Sequence, residues 1–339
     1  MARTISYMQA INEALAQEME RDETVVVFGE DNVGGFGSPG EMDAWGGVMG
    51  VTKGLYARYP ERILDTPISE SAFIGAAAGA ACSGLRPVAE LMFVDFFGVC
   101  MDQIYNQAAK FRYMFGGKAK TPMVIRTMFG AGIRAASQHS QSLYPIFTHI
   151  PGLKVVVPSN PYDAKGLLIA SIRDDDPVMF FENKVLYAVE GEVPEEPYEI
   201  PLGEAEFVRE GEDVTIVAIG RMVSMAEQAA AELADEGIEC EIVDPRTTSP
   251  LDEETIFESV ENTGRLVVVD EANPRCSMAT DIAARVAENC FDDLKAAPKM
   301  VTAPHTPPPF SPSLEDLYVP DPDRIASAAR EVAGAGARA

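Results

Sequence analysis

Five short runs rich in β-branched and apolar residues recur along the first half of the chain: TVVVF (24–28), PVAELMF (87–93), PMVIRT (122–127), LKVVVP (153–158) and PVMFF (177–181). Helical patterns at 70–83, 96–113 and 161–172 lie between them. Continuous apolar runs separated by helices belong to parallel strands covered on both faces. The alternation stops at VEGEVPEEPYEIPLGE (189–204), whose prolines and glutamates read as a linker. It resumes with VTIVAIG (214–220), IECEIVD (238–244), RLVVVDE (265–271) and KMVTAP (299–304), with helices expected over 222–236, 252–260 and 276–290. The sequence therefore predicts an α/β chain of two domains, residues 4–188 and 205–330, each a mostly parallel sheet with helices on both faces. A length of 339 residues suits that division. The opening MARTISYMQAINEALAQEM predicts an amphipathic helix rather than a signal peptide.

One segment asks for more than a fold. DTPISE (65–70) runs into SAFIGAAAGAACSG, so a lone carboxylate, Glu70, stands at the first turn of a helix of small apolar residues. Small residues allow close approach, and a helix this apolar is expected to be buried. Glu70 either answers the helix dipole or sits beside a group that needs a proton.

Composition narrows the partners. Asp and Glu number 53 against 27 Lys and Arg, a formal net charge of -26. Nucleic-acid and anionic-membrane surfaces need clustered positive charge, which this chain lacks. The acids are spread along the chain, and their mutual repulsion weakens the compact state unless salt screens it. The reading is a cytoplasmic protein of a high-salt cytoplasm. The five cysteines form no CxxC or Cys/His pair, which argues for reduced thiols and no zinc site.

GGFGSPG (34–40) has dinucleotide-type glycine spacing, but a proline interrupts it and no helix opening follows, so a glycine-rich loop is the better reading. GED (29–31) places Glu30 just past the first strand, where parallel sheets bind ligands. AASQHSQSLY (135–144) holds His139, one of three histidines, and a histidine suits general acid–base work. His149 reads as a packing residue, and His305 lies in the extended, proline-rich APHTPPPF. No P-loop, no GDG with a later Asn and no metal-ligand cluster occurs.

GED, DTPISE, AASQHSQ, IRDDDPVMFFENKVLY (172–187) and DPRTTSPLD (244–252), in that order, resemble the β subunit of the thiamine-diphosphate-dependent first component of 2-oxo acid dehydrogenase complexes. DAWGGVMGVTKGL (43–55), VDEANPRCSMATDIAA (269–284) and VTAPHTPPPFSPSLEDLYVPD (301–321) are similar to the acetoin dehydrogenase branch of that family. The resemblance implies a transketolase-like pyrimidine-binding domain followed by a transketolase C-terminal-like domain. It implies that Glu70 hydrogen-bonds a ring nitrogen of the cofactor's aminopyrimidine, that Glu30 and Phe96 line that pocket, and that His139 is the active-site histidine. It implies an α subunit, two α with two β, that holds magnesium and the diphosphate. A lipoyl-bearing acyltransferase would receive the acetyl unit, and dihydrolipoyl dehydrogenase would act indirectly. Relatives hold a monovalent cation around the IRDDDP loop, where Asp174 matches, so a potassium ion is an open expectation there. The implied reaction is cleavage of acetoin to acetaldehyde, with pyruvate or a branched-chain 2-oxo acid as the alternative substrate. A non-catalytic assembly subunit is the rival from another class.

Overall fold

The computed structural model describes residues 2–33 and 46–334. The GGFGSPG motif and the first residues of DAWGGVMGVTKGL lie outside that range. The chain forms two compact units, Met1–Phe129 with Ile146–Leu202, and Gly130–Pro145 with Gly203–Ala339.

In chain order the first half carries β1 (Ala2–Ser6), α1 (Tyr7–Arg21), β2 (Val25–Gly29), α2 (Leu55–Arg58), β3 (Ile63–Asp65), α3 (Glu70–Cys82), β4 (Arg86–Phe93), α4 (Ala109–Met114), β5 (Val124–Phe129), α5 (Tyr144–Thr148), β6 (Lys154–Val156), α6 (Pro161–Arg173), β7 (Val178–Asn183) and β8 (Glu190–Pro194). Within the first unit the parallel strands lie in the order β6–β7–β5–β4–β2–β3. The expected helix does not start at the N-terminus. Residues 2–6 instead form β1, antiparallel to β8, with Ala2 opposite Pro194. The helix starts at Tyr7 because Ser6 caps it: Ser6 Oγ accepts from the Gln9 amide while the Gln9 side chain accepts from the Ser6 amide. α1 packs on α6, and Ile11, Leu15, Leu168 and Ile172 of the two helices lie in one core with Val25, Val88 and Val178.

Five residues of the expected linker, Glu190–Pro194, thus form a strand, and the next residues are fastened too. The fully buried Lys165 ammonium on α6 donates to the carbonyls of Pro194, Glu195 and Glu196 at 2.7, 3.0 and 3.1 Å, and to Glu13 at 2.7 Å. The helix expected over 96–113 is broken into a 3₁₀ turn (Val94–Val99), a π-helical turn (Gln103–Ala108) and α4. Phe96, Phe97 and Gly98 are poor helix formers in succession, which accounts for its tight start. β3 is too short, at three residues, to show a period in sequence.

The second unit carries β9 (Glu206–Arg209), β10 (Val214–Ala218), α7 (Met222–Asp235), β11 (Cys240–Asp244), β12 (Thr247–Ser249), α8 (Glu253–Thr263), β13 (Leu266–Asp270), α9 (Met278–Asn289), β14 (Lys299–Thr302), α10 (Pro312–Tyr318) and α11 (Pro322–Gly334). Its sheet runs β14–β13–β10–β11–β9, parallel except for the antiparallel edge β9. α7 and α11 bury Met222, Ala226, Leu233, Ile325 and Ala329 against it. The segment 130–145 falls in sequence between strands of the first unit, yet it belongs to this second one.

Candidate active site

The carboxyl ends of β2 and β3 carry one cluster. β2 pairs with β3 at Gly29–Asp65 and with β4 at Gly29–Glu90. Gly29 is required there: a Cβ would stand 2.7 Å from the Glu90 carbonyl oxygen. The Thr66 amide donates to the Gly29 carbonyl at 2.9 Å, which brings DTPISE against GED. Glu30 follows Gly29 and is 6% exposed, and its Oε1 is buried with no hydrogen-bond partner. Thr66 Oγ1 is likewise buried and unanswered. Burial pushes the Glu30 carboxyl up to about 7, helped by the negative charges of Glu70, Asp31 and Glu90.

Glu70 opens α3, whose Ser69 cap makes no side-chain bond to the helix. It lies close enough to Glu30 and Cys100 to act on the charge of both. The buried Cys100 thiol is pushed up to about 12, by burial first and by Glu70 second. Ser71, the next residue, donates to the Val99 carbonyl and ties the helix start to the 3₁₀ turn. That turn carries Phe96, half-buried, in an edge-on contact of 5.6 Å between ring centroids with Phe93. Glu30, Glu70 and Phe96 therefore belong to the same unit, the first two on the elements expected of them and Phe96 on a 3₁₀ turn instead of the expected helix. α3 itself is not wholly buried: Phe73, Ile74, Ala77, Ala78 and Ala81 face the core, but Ala72, Ala76 and Gly79 are exposed.

Beneath the cluster lies a charge network that the sequence reading missed. Arg126, 1% exposed, donates from Nε and Nη2 to the Glu182 carboxylate at 2.7 and 2.8 Å, and from Nη1 to Glu90 at 2.8 Å. The Tyr187 hydroxyl donates to Glu182 Oε2 at 2.6 Å. A signal was available: Glu90, Arg126 and Glu182 are charges inside otherwise apolar strands, and Glu90 and Arg126 are register partners on β4 and β5.

His139 lies in the second unit, half-buried, at the end of a 3₁₀ turn (Ser137–His139). Its amide donates to the Ala136 carbonyl at 3.3 Å. His149, expected to pack, is exposed, as is His305. At the IRDDDP loop the oxygens already carry donors. Lys154 Nζ donates to Asp174 Oδ2, Arg86 Nη1 donates to the carbonyls of Ile172 and Asp174 at 3.0 and 2.8 Å, and Arg112 Nη1 donates to Asp176 Oδ1 at 2.8 Å. No group of three or more His, Cys, Asp or Glu side chains that could hold a metal occurs among the described residues.

Two carboxyl groups close enough to interact, one of them raised by burial and carrying an unanswered oxygen, suit a ligand that both donates and accepts hydrogen bonds. Comparisons with known proteins identify the family. The model for the transketolase pyrimidine-binding domain matches residues 3–190, and that for the transketolase C-terminal domain matches 203–325. The chain is 67% identical to the acetoin:2,6-dichlorophenolindophenol oxidoreductase subunit beta of Cupriavidus necator, over 99% of both chains. It is 61% identical to the same subunit of Bacillus subtilis, over 98% of both. It is 46% identical to the pyruvate dehydrogenase E1 component subunit beta of Acholeplasma laidlawii, over 98% of both. A solved split-gene transketolase, an inactive beta4 tetramer, superposes with a TM-score of 0.79 at 23% identity, over 98% of this chain and 99% of that one, which speaks for the fold.

Proposed function

The chain belongs to the family of β subunits of thiamine-diphosphate-dependent acetoin and 2-oxo acid dehydrogenases, and on that premise we propose that it serves acetoin cleavage. The product pair is acetaldehyde and an acetyl unit passed to a lipoyl arm. The observation that carries the reading is the buried, unanswered Glu30 Oε1 beside Glu70. An orphaned buried acceptor costs free energy, and an aminopyrimidine offers the complementary donors and acceptors, so the residues present fit the cofactor.

The carbanion chemistry is the cofactor's own. Glu70 holds a proton at a ring nitrogen of the pyrimidine. Glu30, kept largely protonated below pH 7 by burial, donates to or accepts from the same ring. Phe96 supplies an apolar wall. His139 takes the proton from the substrate hydroxyl as the carbon–carbon bond breaks. The two electrons of the resulting oxidation go to the lipoyl disulfide, or to an artificial dye.

The α subunit enters the proposal twice. It would hold the magnesium and diphosphate, for which this chain has no motif. It would also cover apolar surface that the chain leaves open: the Ala72, Ala76 and Gly79 face of α3, together with Ile68 and Val99, 83% and 60% exposed. The test is coexpression with its α subunit and an assay of dye reduction with acetoin, pyruvate and branched-chain 2-oxo acids. Acetoin is expected to give the highest kcat/KM. A preference for pyruvate would move the chain to the decarboxylating branch, and no activity with any of them would make it an assembly subunit. We also infer a high-salt cytoplasm from the charge of -26. The melting temperature should rise steeply between low and molar potassium chloride, and a flat curve would remove that inference.

A further inference from the structure

We propose that Glu315 is a positioning residue for His139, acting through the backbone between them; the proposal rests on the reading of His139 as the base. The loop Gly130–Pro145 has little regular structure, so its amides need partners from elsewhere. Glu315, on α10, is 0% exposed. Its Oε1 accepts from the Gly132 amide at 2.9 Å, and its Oε2 accepts from the Arg134 amide at 3.2 Å and from Arg134 Nη1 at 2.5 Å. Glu271 Oε1 accepts from the preceding amide, Ala131, at 2.7 Å. Gly130 N donates to the Gln141 carbonyl at 3.2 Å and closes the base of the loop, and Ser137 Oγ donates to the Pro308 carbonyl at 2.5 Å.

Between the Glu315 anchor and His139 the backbone is strained. Arg134 has φ 61° and Ala136 has φ 63° with ψ −178°, conformations that L side chains avoid. Such a conformation persists only where the surroundings over-determine it. The Glu315 carboxylate does so on one side: it fixes Arg134 from both its amide and its guanidinium. Two residues later the carbonyl of Ala136 receives the His139 amide. The path from carboxylate to imidazole is thus one short, strained piece of backbone. Strain of this kind clusters at functional sites, where the surroundings hold it in place. Glu315 holds it in the conformation that sets the His139 side chain.

The experiment uses the assembled αβ enzyme and acetoin. Glu315→Gln retains one oxygen acceptor and loses the charge. It should speed amide exchange at Arg134 and His139 and lower kcat by about 10- to 100-fold, the cost of misplacing a reacting group, with KM nearly unchanged. Ser259→Ala, which cuts a buried hydroxyl pair with Thr215 in the same unit, controls for lost stability and should leave kcat intact. The loss from Glu315→Gln should vanish in a His139→Ala background, because two residues acting through one group are not additive. If Glu315→Gln fails to assemble, Ala136→Gly decides. Glycine accepts the backbone angles, so the fold stays, and kcat should fall several-fold as the loop is freed. Wild-type kcat in Glu315→Gln (or in Ala136→Gly), or a full additive loss in the double variant, overturns the positioning role. Wild-type turnover in His139→Ala overturns the base itself, and is told apart because it appears without any change at Glu315.

Discussion

The strand-end cluster and the His139 loop treat buried carboxylates in opposite ways. At the ends of β2 and β3, Glu30 keeps an oxygen buried and unanswered. In the loop, Glu315 and Glu271 answer backbone amides and a guanidinium of the chain itself. The first arrangement leaves a buried acceptor unanswered, which costs free energy, and on the proposed function a bound pyrimidine would answer it. The second is complete as it stands and holds a strained conformation in place. A carboxylate's role follows from what already occupies its lone pairs, more than from how deeply it is buried.

Three measurements would break or sharpen that contrast. The largest effect is expected at Glu70. Glu70→Gln keeps size and polarity but cannot move a proton. In the assembled enzyme, turnover should fall by roughly two to four orders of magnitude, with the melting temperature near wild type. NMR of proton exchange on the bound cofactor separates this from a dipole role, for which activity would stay and stability would drop by at most about 1 kcal/mol. Next comes the network beneath the cluster. Arg126→Met leaves Glu90 and Glu182 buried without their cation, and urea denaturation should show a loss of about 3–5 kcal/mol. A loss under about 1 kcal/mol would mean that the network is not needed to hold the strand ends.

The smallest effect concerns pH. The Glu30 carboxyl is held at about 7 in the folded chain, against an ordinary 4.5. The folded state therefore keeps a proton that the unfolded chain gives up between those values. The Glu30 contribution is fully present below the lower value and is lost as pH rises towards the upper one. Without cofactor, the melting temperature of Glu30→Gln should gain on wild type from about pH 5 to about pH 8. A constant difference between the two curves would show that Glu30 is not buried in its ionised form.

Much of this was legible in the sequence because parallel strands are continuous apolar runs. The runs beginning near Thr24, Pro87, Pro122, Lys154 and Val214 became β2, β4, β5, β6 and β10, with ends shifted by a few residues. Glu70 was legible as a lone charge on an apolar helix, and Glu30 by its place after a strand. What stayed hidden depends on partners remote in sequence. β1 is a strand because β8 pairs with it. The 96–113 helix breaks where aromatic residues and a glycine meet the start of α3. Segment 130–145 belongs to the second unit because Glu271 and Glu315 hold it there, and no local period could announce that.

The pairing of β1 with β8 also sets an order of events during synthesis. Ala2–Ser6 leaves the ribosome well ahead of its partner strand, which is made about 190 residues later. At 5–20 residues per second that is a wait of roughly 10–40 s. α1 waits almost as long for α6, its main packing partner. Throughout that interval the nascent chain carries an open strand edge and the uncovered apolar side of a helix. A factor that shields emerging apolar segments has its natural moment of contact there, before the ribbon closes.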